Sequence, residues 1–193
     1  MQRLSASFIL GYHGCDQAVA ERLLAGEPFE TSQNDYDWLG WGVYFWEANP
    51  RRGLDFASEA KKRPGSKIKA PTVVGAVIDL GNRLDLMSTV GIDMVRAAYE
   101  SLSETLSAAG QPLPVNRDRF RRQLDCAVIE HLHAIYEAHG GSIEIVRAAF
   151  PEGREIYPGA GAGFDEKTHI QIALRNLDCI KGVFRVPETH LHP

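Results

Sequence analysis

His13 stands at the end of an apolar run, followed at once by Gly14 and Cys15. An imidazole this close to a thiol suggests a nucleophile pair, in which the base lowers the thiol's pKa. The local sequence places no carboxylate to orient that imidazole, and a lone strand-end His is more often a satisfied structural side chain. Further on, Glu166, His169 and Gln171 fall within six positions. His169 and Gln171 are two apart, so on a strand they share a face. The loop from Pro151 to Asp165 carries Pro158-Gly159-Ala160-Gly161-Ala162-Gly163 at its centre. It lacks the Lys-Ser/Thr of a phosphate-binding loop and runs into a strand, so it reads as a loop beside a site or a plain linker. His131 and His133 share a helix but face different sides, a poor metal pair, and no metal is expected. His190 and His192 read as a solvated tail.

These side chains must be held by elements that the sequence marks. The central stretch is Leu39-Gly40-Trp41-Gly42-Val43-Tyr44-Phe45-Trp46, which alternates as a strand with both faces packed or occupied. Its plain reading is an aromatic core strand. Before it, Phe8–His13 forms a strand ended by Gly14. Asp16 caps a helix that Gly26 stops. After it, Asn49 and Pro50 open a helix from about Arg51 to Lys62, with Leu54, Phe56 and Ala57 near its inner side. Val73–Leu80 is a β-branched strand. Val95, Ala98, Leu102 and Leu106 line one long helix, and Phe120, Leu124, Val128, Leu132 and Ile135 a second, with a turn at Gln111–Val115. Strand signals return at Ile143–Arg147, His169–Leu174 and Ile180–Val186. Strands and helices do not alternate regularly, which predicts an α+β domain of mostly antiparallel short strands.

The 193 residues fit a single domain spanning 1–193, with 44% hydrophobic and 24% charged residues. Lys and Arg number 21 against 25 Asp and Glu, a net charge of -4 that gives no bulk attraction to nucleic acid. Arg51, Arg52, Lys61, Lys62, Arg63, Lys67 and Lys69 nonetheless form a locally basic run, read as a solvated face or a nucleic-acid contact. Cys15, Cys126 and Cys179 are scattered, as reduced thiols are. The N-terminal residues run directly into a strand without an apolar leader, and no stretch has the length of a membrane span, so a cytoplasmic domain is expected.

Three segments together resemble the motifs of the His-Tyr-Glu class of ADP-ribosyltransferases, the diphtheria-toxin and poly-ADP-ribose-polymerase lineage. They are Tyr12-His13-Gly14, Leu39-Gly40-Trp41-Gly42-Val43-Tyr44-Phe45 and Thr168-His169-Ile170-Gln171-Ile172. Their order and spacing match that family over nearly the whole chain. The resemblance implies a split pair of antiparallel β-sheets with flanking helices, a central helical insertion and NAD in the cleft. It implies that His13 bonds the adenosine ribose and the Gly14 backbone bonds the nicotinamide amide. Tyr44 then stacks on the nicotinamide ring, with Phe56 as a second aromatic. The loop Gln33–Trp38 covers the donor and Glu152–Phe164 faces the acceptor. The third motif departs from the family, since its strand begins without the expected Glu. Gln171 takes that position, with Glu166 second and His169 beside them.

The activity implied by the resemblance is NAD-dependent mono-ADP-ribosyl transfer to a protein or nucleic acid with release of nicotinamide. A bacterial toxin or defence factor, with a possible inhibitor (antitoxin) protein as partner, fits that chemistry. Two alternatives stay open: an NAD- or ADP-ribose-binding module with weakened catalysis, motivated by the missing Glu, and an RNA 2′-phosphotransferase-like enzyme, a chemistry that calls for basic residues lining the cleft, of which His169 is one.

Overall fold

Strand β1 (Phe8–Asp16) is the spine on which the other elements are hung. A computed structural model of the chain describes residues 7–191. The N-terminal residues before Ser7, and His192, lie outside the described residues. On one side, β1 pairs antiparallel with β3 (Pro71–Asp79) along its whole length, from Phe8↔Asp79 to Asp16↔Pro71. On the other, β2 (Val43–Glu47) meets β1 only at Gly11↔Glu47 and Tyr12↔Trp46. β2 pairs in turn with β6 (His169–Leu174), which pairs with β5 (Ile145–Phe150). A three-residue strand, β4 (Arg83–Asp85), adds to β5 in parallel, and β7 (Ile180–Arg185) closes the far edge against β3.

The result is one seven-stranded sheet in the order β4-β5-β6-β2-β1-β3-β7, mixed only by the parallel β4–β5 pair. The α+β class holds, but the expected split pair of sheets does not. Trp46 pairs with Tyr12 on one side and Gln171 on the other, so β2 has no free edge at which a second sheet could begin. Gly14 also lies inside β1 rather than ending it, because the ladder to β3 continues for two more residues.

Four α-helices are present among the described residues. In α1 (Gln17–Leu24), the Asp16 carboxylate accepts the Ala18 N–H and, with its other oxygen, the N–H groups of Lys69 and Ala70. α2 (Pro50–Lys61) opens as its sequence suggests, with Asn49 accepting the Arg52 N–H and Pro50 in the first turn. α3 (Thr89–Ala108) and α4 (Gln123–Ala138) form the central helical insertion between β4 and β5. α3 starts before the apolar pattern, because Ser88 caps it through the Gly91 N–H. Phe120 stands outside α4 and is 61% exposed. The first α4 N–H groups are taken by Asn116, whose Oδ1 accepts from Leu124 and Asp125, so the helix starts after Phe120.

Side-chain alternation gives the sheet two different faces. One packs Phe45, Val74, Ala76, Ile78, Ile145 and Ile172 under α1 and Phe29. Fully burying a side chain such as Phe45 or Ile172 contributes about 2–3 kcal/mol. The opposite face is shared by two blocks. Tyr12 and Val73 pack with Leu54 of α2, while Leu84, Val146, Ala148 and Ala173 pack under α3 and α4. Between the blocks a seam runs over β2 and β6, and its floor carries Tyr44, Trp46, His169 and Gln171. No helix among the described residues is long and apolar enough to cross a membrane.

Candidate functional site

The seam is walled by aromatic rings. Trp46, buried on β2, meets the Phe56 ring of α2 with centroids 4.8 Å apart, and His169 lies 6.1 Å away. Phe150 lies 5.6 Å from His169, and Trp38 lies 4.9 Å from Phe150. The Trp38 indole N–H donates to Gln171 Oε1 at 2.5 Å, which fixes the amide next to Trp46. From α2, the Arg52 guanidinium stands 5.8 Å from the Trp46 ring centroid.

Glu59 of α2 approaches Arg52 at 3.6 Å, and a buried carboxylate lies within this group. Glu152, two residues past the end of β5, accepts from Arg52 Nη2 at 2.7 Å with both oxygens. Its backbone carbonyl accepts the Lys167 N–H, so the two ends of the 152–167 loop are clasped beside β6. His169 Nδ1–H donates to the Lys167 carbonyl at 2.7 Å and lies 3.9 Å from Glu152 Oε2. Burial and the nearby Arg52 charge hold the His169 pKa below its ordinary value, against the pull of the Lys167 carbonyl and Glu152. The imidazole is therefore neutral at pH 7, with Nε2 as an acceptor. Trp46 Nε1, Arg52 Nε and Nη1, and His169 Nε2 are all buried without a hydrogen-bond partner among the described residues.

The other expected site residues divide between this seam and elsewhere. His13 lies on the opposite face, against Phe29 and Phe45, and its Nδ1–H donates to the Tyr44 carbonyl at 2.9 Å. Burial lowers its pKa. Gly14 lies against α2, where a Cβ would fall 2.0 Å from the Gly53 carbonyl oxygen. Tyr44 shares the seam face, but its hydroxyl accepts the Leu39 N–H and donates to the Gly40 carbonyl, pinning the turn that leads into β2. Phe56 joins Trp46 as described. Glu166 does not join the group: it pairs with Arg154 on the exposed loop. Burial pushes the Cys15 thiol up to about 11, a poor nucleophile at neutral pH. His131 bonds Ser101, and the described residues contain no cluster of metal-ligating side chains.

Two residues of the seam are hidden in the sequence. Arg52 belongs to a run that reads as solvated, yet it is 6% exposed, and Glu152 belongs to a loop read only as facing an acceptor. The available signal is the small-residue stripe Gly53, Ala57 and Ala60, all buried in α2, which marks a face packed closely on the sheet with Arg52 beside it. Comparison with family models, curated proteins and solved structures returns no significant match.

Proposed function

We propose that the chain is an NAD-dependent mono-ADP-ribosyltransferase and that the seam receives the nicotinamide end of NAD. The observation that carries this reading is the buried Glu152 carboxylate, 2.7 Å from Arg52 and 3.9 Å from His169, whose ring lies between those of Trp46 and Phe150. Breaking the bond between ribose and nicotinamide sends the electron pair out with the leaving ring and leaves positive charge on the ribose. A fixed carboxylate stabilises that charge, and aromatic faces hold the electron-poor ring. The acceptor nucleophile then forms the new bond to the ribose and loses its proton. Glu152 supplies the carboxylate that β6 lacks, Gln171 a polar contact to ribose, and His169 a neutral base at the same edge. Exposed Ile156, Tyr157 and Phe164 on the adjoining loop offer a surface to a protein or nucleic-acid acceptor.

The test measures nicotinamide release from NAD labelled in both halves, with the ADP-ribose label traced in protein and nucleic-acid fractions. Wild type is expected to release nicotinamide and label one fraction. Glu152→Gln should lower kcat by about 100-fold or more while NAD affinity changes only severalfold. An unimpaired Glu152→Gln enzyme would remove Glu152 from this role. A second reading, a binding module, is favoured by the ion pair that Arg52 makes with Glu152. It predicts NAD binding with no nicotinamide release.

A further inference from the structure

We propose that the unused edge of Arg52, together with Trp46 and His169, forms an oxyanion site that takes a phosphate group. This inference does not depend on NAD turnover. The three side chains are 6%, 2% and 6% exposed, so each is more than nine-tenths buried. Arg52 commits only Nη2 to Glu152, which leaves Nε and Nη1 without partners, and the Trp46 indole N–H is likewise unused. Guanidinium and indole are donors with no acceptor capacity, so acceptor atoms must satisfy them, and an oxyanion offers several at once together with the charge that the guanidinium attracts. Leaving such donors buried and unpaired is costly, so an arriving acceptor is favoured.

His169 supplies the third direction. Its Nδ1–H is spent on the Lys167 carbonyl, so Nε2 is the nitrogen that can accept a P–OH proton or, once protonated, donate to the dianion. Arg52 and Glu152 are the charges that act on it, and beyond them Glu59 lies 3.6 Å from Arg52 and pairs with Lys167. The two cations and two carboxylates balance. An arriving phosphate therefore brings uncompensated negative charge, which a proton on His169 offsets. A planar carboxylate offers two oxygens in one plane, whereas a tetrahedral phosphate can present oxygens to guanidinium edge, indole and imidazole together. The unpartnered atoms are closed off from solvent, so binding requires a local opening of the seam.

The experiment is an amide and indole NMR titration of the full chain with inorganic phosphate, at ionic strength matched by chloride. The protein has 3 Trp residues, and Trp46→Phe assigns the relevant indole resonance. The Trp46 indole signal is expected to shift saturably while that of Trp41 does not. Trp46→Phe should weaken binding about tenfold, the loss of one charge-assisted hydrogen bond. Arg52→Lys, which keeps the charge but removes the fork, should weaken it at least as much. Phosphate should also raise the His169 pKa. Parallel titrations with ADP-ribose and NAD separate a free ion from a dinucleotide diphosphate as the source. A Trp46 indole unmoved by all three ligands, or binding undiminished in folded Arg52→Lys and Trp46→Phe, overturns the proposal. Nicotinamide release without these shifts would leave the transferase reading standing and remove this one.

Discussion

Gly14 shows how much a single position can decide. A methyl group there would meet the Gly53 carbonyl at 2.0 Å, so α2 can lie on β1 only if the strand offers bare backbone. Gly14→Ala is expected to destabilise the fold by about 1–3 kcal/mol, read as a lowered denaturation midpoint. An unchanged midpoint would mean that α2 shifts freely on the sheet. Gln171 is the complementary case, a residue whose chemistry can be altered without altering its place. Gln171→Glu still offers the Trp38 indole an acceptor and adds a carboxylate next to Trp46. It should raise NAD hydrolysis severalfold in the transferase reading, and an equal or lower rate would count against a ribose contact at this position. His169 and Gln171 can be placed on one face from spacing alone. Arg52 and Glu152 cannot, because each is buried only through a partner 100 positions away, and a charged residue without its partner reads as solvated.

At the scale of elements, α2 organises the site, since Arg52, Gly53 and Phe56 come from its first two turns. Its beginning is legible because Asn-Pro is a local signal. β4 is not, because a three-residue strand has no period to detect and is held non-locally. Arg147 of β5 donates to Asp85 of β4 and to Glu47 of β2, and no local pattern announces such a tie. The continuity of the sheet is hidden for the same reason: which strand edge β2 uses is a long-range choice. The clasp between α2 and the 152–167 loop gives an element-scale prediction. Arg52→Met alone leaves the buried Glu152 carboxylate without its cation and should cost about 3–5 kcal/mol, and Glu152→Leu, after which Arg52 keeps Glu59 at 3.6 Å, should cost less. The double substitution should recover most of that loss by chemical denaturation. Equal, additive losses would show that the pair does not act as a unit.

For the whole molecule, acidity acts on several buried imidazoles at once. His13, His133 and His169 all have pKa values lowered mainly by burial, His133 from 6.5 to about 4. The unfolded chain therefore binds more protons than the folded one below pH 6.5. Their contribution to stability is complete above that value and is lost as pH falls below it, for His133 through about 4. Denaturation midpoints should fall between pH 6.5 and 4, and His133→Leu should flatten the slope. A variant with the wild-type slope would exclude His133 as a source. The sheet itself is joined unevenly. β1 and β3 share a nine-residue ladder, whereas β1 and β2 share two register pairs and the His13 bond to the Tyr44 carbonyl. Amide hydrogen exchange should record that narrow junction as a step in opening free energy, with the β1–β3 ladder exchanging last. Opening along this line would also work against the core that spans it, where Phe45 packs with Val74, Ala76 and Ile78. Only small fluctuations that shift Trp46 relative to α2 therefore cost little, and the amides they expose would border the seam.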